Sequence, residues 1–398
     1  GAWTFKGIAG SESLTLPFRL PLNTFSAFEV REHFGRFGAD LYFNEDGMPV
    51  LIQTPDGRLV ARGDKDWQYW KFVWRSTLVT GITLVDHLHF THFRTANFIA
   101  TASRTALPAD HPMRRLMAIA SFGSIFVNLQ AMHQLIGPNH MLHRATPFKD
   151  FAKLSRIVPA SASGLVLDVP DMQGIKEMIN DTAWDALHPR IQATPYYADG
   201  KLLAQAFKKL FMSLFPQIRS TFCLENDQVS PVFRHLMAHL TNRTALAHYQ
   251  GPTQFDPNQA AALSCAHIAE MLPARFSSYL FTVTGYHRQV GFVGDYYTDP
   301  ELATMSWKNG ESFGRPKQHM IMSVVNVFTS TRQPKLAEDY THLFKGMKPD
   351  LEQEFSKAWR EFLEDMKELE AEVDRRNKKR EIPNINMSPR ILESAVSK

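Results

Sequence analysis

The 398-residue sequence predicts a mainly α-helical fold with a small β-containing segment at its start. Two observations favour this class. Apolar residues recur at helical spacing along most of the chain from Trp67 onward, whereas turn signals between short alternating runs fall in the first 65 residues. No internal repeat or low-complexity linker divides the chain. We therefore expect one domain over residues 1–398, with an irregular or hairpin part at 1–65 and a helical body at 66–398.

The β-containing segment is predicted from two turns. The sequences NEDGMP and TPDGR lie beside short runs at residues 41–43 and 50–53. Asp-Gly pairs between such runs favour tight chain reversals. These residues predict a hairpin within otherwise irregular structure.

Helical periodicity predicts helices near residues 67–104, 112–136, 199–215, 258–293 and 316–331. The clearest helix covers residues 351–377, where apolar residues recur at spacings of three and four between charged ones. These apolar residues are Phe355, Trp359, Phe362, Met366, Leu369 and Val373. The pattern predicts a surface helix with one buried stripe.

Composition narrows the classes of function. The formal charge of +4 is small for 398 residues, so a nucleic-acid partner is not expected. No stretch approaches the roughly 20 apolar residues of a transmembrane helix, and no signal-peptide pattern is seen, which predicts a soluble protein, cytoplasmic or secreted. Two cysteines, Cys223 and Cys265, predict no disulfide framework and no cysteine zinc cluster. Any metal is expected to have nitrogen and oxygen ligands.

Histidines are concentrated in residues 87–112, which read HLHFTHFRTANFIATASRTALPADHP. On a regular helix His87 and His92 would point about 140° apart, so they share a metal only where the helix is widened into a π-type turn. His89 and His92 would share a face without distortion. Core or surface histidines with satisfied nitrogens are an equally simple interpretation of this spacing.

The blocks around these histidines resemble the lipoxygenase family, non-haem iron or manganese dioxygenases of polyunsaturated fatty acids. The similarity is carried by an ordered series: LYFNEDGMPVLI, GDKDWQYWKFVW, the histidine segment, NLQAMHQLI, TPYYADGKLLAQAFKKLF, VTGYHRQVGFVGDYY, RRN and IPNINMSPRILESAVSK. It spans about residues 40–398 and implies a shortened lipoxygenase-like catalytic domain. The resemblance also implies that the family's N-terminal β-sandwich lipid-binding domain is absent.

The resemblance implies a metal site. His87 and His92 match the first two metal ligands of the family, on a central helix with a π-type turn, and His287 matches the third. Imidazole and carboxylate ligands suit non-haem iron, with manganese as the alternative. His111 matches a histidine that is not a ligand, and His89 has no counterpart in the family.

Several positions depart from the family. Gly291 stands where a weak fourth ligand with a polar side chain is usual, and Thr83 and Gly294 replace two glutamines near the metal. The chain-terminal carboxylate that acts as a ligand would belong to Lys398, whose charged side chain is costly to bury. Ala131 occupies the position of a small residue that steers oxygen, although a small residue at a helix contact would serve equally well.

The resemblance implies an enzyme that takes O2 as co-substrate and an unsaturated, largely apolar molecule as substrate. In the family, a hydrogen atom is abstracted from a methylene between two double bonds, and oxygen then adds. Two alternatives remain. The same scaffold could carry out a changed reaction, such as oxidation or cleavage of another unsaturated substrate or rearrangement of a hydroperoxide. It could also be a metal-free relative that binds a lipid or a partner protein. The sequence does not predict the oligomeric state.

Overall fold

The computed structural model describes residues 2–8, 11–32, 34–150, 188–225, 228–240, 265–294 and 333–396, with short pieces at 307–308, 311–312, 320 and 323–324. Contacts group the chain into two compact units. The first comprises Gly1–His89, Gln130–Val169 and Val290–Ser330, and the second comprises Phe90–Leu129, Pro170–Gln289 and Thr331–Lys398. The expectation of a single domain stays a prediction.

Strands lie mainly in the first unit. A hairpin pairs β1 (Trp3–Ile8) with β2 (Ser11–Leu16), and an antiparallel sheet has the order β3 (Phe18–Leu20), β4 (Asp40–Phe43), β5 (Pro49–Gln53), β6 (Leu59–Ala61). A further short pair joins β7 (Trp307–Lys308) to β8 (Glu311–Ser312). The predicted hairpin at 41–53 is confirmed, but most of the first 65 residues are more regular than expected. Periodicity over three to six residues was too short to show the extra strands.

The two turns that predicted the hairpin both need glycine. Gly47 and Gly57 have φ angles of 75° and 85°, a backbone region that side chains disfavour. At the start of β4, Asp40 is buried and accepts hydrogen bonds from Arg19 at 2.6 Å and from the backbone N–H groups of Leu22 at 2.7 Å and Asn23 at 2.8 Å. These partners offset the cost of burying its charge.

The rest of the described chain is mainly helical, which agrees with the predicted class. The helices are α1 (Trp67–Gly81), α2 (Asn97–Ala106), α3 (Pro112–Ala120), α4 (Ser124–Gln134), α5 (Met141–Ala145), α6 (Pro189–Gln192), α7 (Pro195–Phe222), α8 (Pro231–Leu240), α9 (Cys265–Phe281), α10 (His287–Gly294) and α11 (Pro349–Asn377). Two π-helical segments continue this path: π1 (Ile82–Ala96) joins α1 to α2, and π2 (Thr282–Tyr286) joins α9 to α10.

Most predicted helices are present. The predicted helix at 112–136 is divided into α3 and α4 by a turn at residues 121–123, and the helix predicted at 316–331 lies largely outside the described residues. In the second unit, α11 buries every residue of its predicted stripe. Phe362 of α11 stacks on Phe207 of α7 with ring centroids 5.4 Å apart, and Phe211 of α7 stacks on Phe276 of α9 at 5.6 Å. Helix α7 is therefore the apolar centre of this unit.

A buried carboxylate fixes the end of α11 against α7. Asp199 is fully buried and accepts hydrogen bonds from Arg376 at 3.0 Å, from Arg380 at 2.7 and 2.9 Å, and from the amide of Asn384 at 2.8 Å. Two guanidinium groups around one buried carboxylate compensate its desolvation. This cluster also anchors the start of the C-terminal tail, in which Ala395 and Val396 are buried.

The expectation of no disulfide needs correction, because Cys223 and Cys265 form one. Cys223 follows the end of α7 and Cys265 begins α9, and the fold brings their Cα atoms to 5.7 Å. This distance is typical of a disulfide. Two cysteines 42 positions apart give no sign of such proximity in the sequence.

None of the described helices is by itself long and apolar enough to span a membrane. Helices α3 and α4, bent by 41° at the turn between them, meet that length and composition test only when taken together.

Candidate metal centre

His87, His89 and His92 lie in the π1 segment, the helical geometry that a metal shared by His87 and His92 required. A π-helix links residues five apart by hydrogen bonds, so residues with this spacing come to the same side of the helix. A side-chain hydrogen bond in π1 also spans five residues: the Thr95 hydroxyl donates to the carbonyl of Phe90 at 2.9 Å. The π geometry therefore removes the angular separation that a regular helix would impose on the two imidazoles.

The helix that carries His287 has a π segment as well. The backbone N–H of His287 donates to the carbonyl of Thr282, five residues earlier. Within π2, Gly285 lies so close to α7 that an added Cβ would be 2.8 Å from Leu203 Cδ2. An added Cβ would force the side chain of Leu203 to move, so this approach favours glycine. Tyr286 then packs edge-on against Phe90 of π1, with centroids 5.9 Å apart.

Three imidazoles converge. One potential ligand nitrogen each of His87, His92 and His287 lies within 4.8 Å of the others. His92 and His287 are buried, with ring centroids 5.3 Å apart, and His87 is half-buried. Neutral imidazole nitrogens are good ligands for divalent first-row metals, so the trio has the donor set of a metal site.

Asn128 of α4 fixes the orientation of His92, and the sequence analysis did not single this residue out. Its Nδ2 donates to the carbonyl of His92 and to Oδ1 of Asn97, both at 2.7 Å. Its Oδ1 therefore faces Nδ1 of His92, at 2.9 Å, and accepts the proton of that nitrogen. This tautomer leaves the lone pair on Nε2, the nitrogen that can bind a metal.

The departures from the family pattern can be placed in part. An added Cβ at Gly291 would be 3.7 Å from Cε1 and 3.8 Å from Nε2 of His87, which is ordinary contact. Position 291 therefore faces the His87 ring, and glycine offers no donor there. Thr83 is buried, and its hydroxyl donates back to the carbonyl of Val79 at 3.0 Å. Gly294 ends α10.

Ala131, His89 and Lys398 are three further residues that the sequence analysis singled out, and the structure describes the first two. Ala131 is buried on α4, three residues after Asn128 and hence on the same face. His89 is half-buried and is not one of the three converging histidines. Lys398 lies outside the described residues, so its role as a ligand stays a prediction.

His111 has a structural role. It is buried, and its Nδ1 accepts a hydrogen bond from the backbone N–H of Met113 at 3.2 Å, which caps the start of α3. Burial lowers the pKa of this imidazole to about 4, against a smaller opposing effect of Asp110. His111 is thus neutral at neutral pH, as an accepting cap requires.

Comparison with known structures identifies the fold. An engineered LOX deletion variant, solved anaerobically in complex with arachidonate, matches with a TM-score of 0.72 and 13% identity. Coral 8R-lipoxygenase matches with a TM-score of 0.72 and 15% identity, and a calcium-dependent 11R-lipoxygenase with 0.72 and 16%. The matches cover 96% of this chain and 59%, 58% and 58% of those chains, respectively.

At these identities the likeness shows the fold alone, and this chain spans less than two thirds of the lipoxygenase chains that it matches. No family profile matches the sequence, and no curated protein matches it. The chain therefore has a shortened, divergent lipoxygenase-like fold, as its ordered motifs predicted.

Proposed function

We propose that this protein is a lipoxygenase-like, metal-dependent dioxygenase that adds O2 to an unsaturated, largely apolar substrate. The observation that carries the proposal is the convergence of His87, His92 and His287 within 4.8 Å, on two π-containing helices of a lipoxygenase-like fold. Side chains 195 residues apart in sequence, His92 and His287, have no simple structural reason to bring their nitrogens together.

The residues present fit a bound iron ion, with manganese as the alternative. His87, His92 and His287 would hold it through imidazole nitrogens, and Asn128 sets the tautomer of His92 that this requires. A redox-active metal bound here would supply the one-electron chemistry for taking a hydrogen atom from the substrate. Gly291 leaves room beside His87 that a ligand side chain would otherwise fill. The terminal carboxylate of Lys398 remains a proposed further ligand.

Residues around the three histidines would shape the site without binding the metal. Ala131 lies on the buried face of α4 that also carries Asn128, so its small side chain would leave space on that face, in line with the proposed steering of oxygen. Buried aromatic contact between Phe90 and Tyr286 holds π1 against π2. The net reaction would add both atoms of O2 to the substrate as a hydroperoxide.

A changed reaction on the same scaffold is the second candidate. It is favoured by Thr83, whose hydroxyl is directed to its own helix, and by Gly291, which offers no side-chain donor. Either change alters the surroundings of the metal without removing a histidine. Product analysis separates this candidate from simple dioxygenation.

The test is oxygen uptake by metal-loaded protein on linoleate-type acids and on other dienes and polyenes, with mass spectrometry of the products. We expect a product 32 mass units heavier than its substrate for dioxygenation, as the mass of O2 requires. A cleaved or rearranged product would support the second candidate. Turnover equally fast in His92→Ala would contradict both, and no turnover by metal-loaded protein on the whole panel would favour the metal-free or non-enzymatic alternatives.

A further inference from the structure

Helix α4 exposes most of its large apolar side chains and buries small or polar ones. Its buried positions are polar or small, namely Ser124, Asn128 and Ala131. Its large apolar side chains point to solvent, apart from the half-buried Val127, and so does that of Phe122 just before the helix. This surface, the α4 stripe, consists of residues that are 48–68% exposed: Phe122, Ile125, Phe126, Leu129 and Met132. A surface helix of a soluble protein normally has the opposite arrangement.

Hydrogen bonds on the buried face of α4 fix the rotation of the helix about its own axis. Asn128 must face inward because it bonds to His92 through both its Oδ1 and its Nδ2. With Asn128 facing inward, a regular helix turns residue 126 about 160° and residue 129 about 100° away from it, and both side chains are exposed. Ile125 lies at the edge of this surface and is 48% exposed. Small polar residues at those positions would satisfy solvent equally well, so the chain's choice of large apolar ones needs a separate reason. Single exposed apolar residues are ordinary, but five on one helical surface mark an interaction site.

The charge around α4 indicates the kind of partner. Residues 111–149 contain no Asp or Glu, although the chain has 40 in 398 residues, and their basic residues are Arg114, Arg115, Arg144 and Lys149. Lys149 forms an ion pair with Glu29 at 3.5 Å, whereas Arg114 and Arg115 donate to neutral backbone carbonyls, which leaves their positive charge in place. Helix α4 itself has no Asp, Glu, Lys or Arg. An apolar stripe in an acid-free, basic stretch of sequence matches the surface of an anionic bilayer, where acyl chains accept the apolar groups and headgroups attract the basic ones.

A protein partner fits less well. Protein interfaces combine apolar contact with roughly one hydrogen bond per 100–200 Å² of buried surface. The five side chains of the α4 stripe offer no oxygen or nitrogen for such bonds. Acyl chains require none.

We propose that the α4 stripe docks this protein on anionic lipid bilayers, by insertion of its apolar side chains at the level of the headgroups. The docking itself needs no metal. The role of this docking rests on the proposed function. The opposite face of α4 contacts His92, so a bilayer bound to the α4 stripe would place a source of apolar substrate beside the candidate metal centre.

The test is co-sedimentation with vesicles of phosphatidylcholine alone and of phosphatidylcholine with phosphatidylglycerol. The stripe variant is Phe126→Ser/Leu129→Ser, and the matched control is Met212→Ser/Ile382→Ser, which removes two exposed apolar side chains elsewhere. We expect the wild type and the control to bind the anionic vesicles, more weakly without phosphatidylglycerol, and the stripe variant to bind at least tenfold more weakly. All three proteins should unfold at similar temperatures, because the four substituted side chains are exposed.

The proposal is overturned if the wild type fails to sediment with anionic vesicles, or if the stripe variant binds them as tightly as the control. It is also overturned if the stripe variant converts a dimeric wild type to a monomer without changing vesicle binding, which would make a second copy the occupant. Metal binding and oxygen uptake are measured separately on the same samples. Vesicle binding without turnover would therefore contradict the proposed function alone, and turnover without vesicle binding would contradict the docking alone.

Discussion

Helix α11 and segment π1 are both well-formed helices, but different forces specify them. In α11 each apolar residue of the repeat is buried and the charged residues face outward, so burial of one stripe accounts for the helix. In π1 the buried residues include Thr91, His92 and Thr95, and the hydrogen-bond spacing is widened. A widened helix is less stable than a regular one, so its presence indicates a functional constraint. Changes in α11 should therefore affect folding, and changes around π1 should affect the metal.

The largest expected effect on stability is in α11. Phe362→Ala should lower the free energy of unfolding by about 3–5 kcal/mol, because it removes a fully buried ring that stacks on Phe207. Denaturant titration of the metal-free protein measures this loss. Metal affinity per folded molecule should stay the same. A loss below about 1 kcal/mol would contradict the role of α11 in stability, and a changed metal affinity would contradict its separation from the metal centre.

Around π1 the expected effect is on the metal. Asn128→Leu removes the acceptor that holds the Nδ1 proton of His92 and should weaken metal binding by about 10–100-fold. Gln130→Leu, on the same helix, is the control and should leave the affinity unchanged. Nitrogen NMR shifts of the imidazole report the tautomer, which should change only in the Asn128 variant. If the affinity falls while the tautomer is preserved, Asn128 acts through general packing instead.

His111 is a buried histidine outside the metal trio, so its titration should affect the stability of the fold and not the binding of metal. Its folded pKa of about 4 lies below the unfolded value of 6.5, so the unfolded state takes up the proton first as the pH falls. Its contribution is complete above pH 6.5 and is lost between pH 6.5 and 4. Between pH 7 and 5 the loss should be about 2 kcal/mol.

The measurement for His111 compares unfolding free energies of the metal-free wild type and His111→Asn at both pH values. Asparagine also caps helices but does not titrate here, so the pH dependence should be smaller by that amount. An equal pH dependence in the two proteins would mean that His111 takes up its proton as readily in the folded state as in the unfolded one, contrary to its role as an accepting cap.

The smallest expected effect is at Gly291. An alanine there makes only ordinary contact with His87 and removes a helical glycine, so Gly291→Ala should be tolerated with a gain of up to about 1 kcal/mol. Gly291→Asn adds an amide beside the same ring and should change the absorption or paramagnetic resonance spectrum of the bound metal, with the alanine variant as control. Identical spectra for all three proteins would show that position 291 does not reach the metal.

The sequence predicted the elements whose formation depends on local pattern. The α11 stripe and the turns at Gly47 and Gly57 follow from periodicity and from glycine's backbone freedom. The three histidines were found through their resemblance to a family, because spacing alone left a core role equally simple. The fold confirms the widened helix on which their convergence depends.

What the sequence did not reveal depends on contacts between distant residues. Asn128 lies 36 residues after His92, and only the fold shows that its amide sets the imidazole's tautomer. One signal was present, an asparagine between the apolar residues Val127 and Leu129 at the start of the block NLQAMHQLI. The disulfide between Cys223 and Cys265 was missed for the same reason, since cysteine count carries no distance.

The central claim is that His87, His92 and His287 hold one metal ion. It is tested by reconstituting the protein anaerobically with iron or manganese and measuring the bound metal per chain. The wild type should bind one ion, and His87→Ala should bind none while keeping its fold. His89→Ala, two positions away on π1 and outside the trio, should bind one ion as the wild type does. A wild type that binds neither metal stoichiometrically, or a His87 variant that binds as well as the His89 variant, would contradict the account.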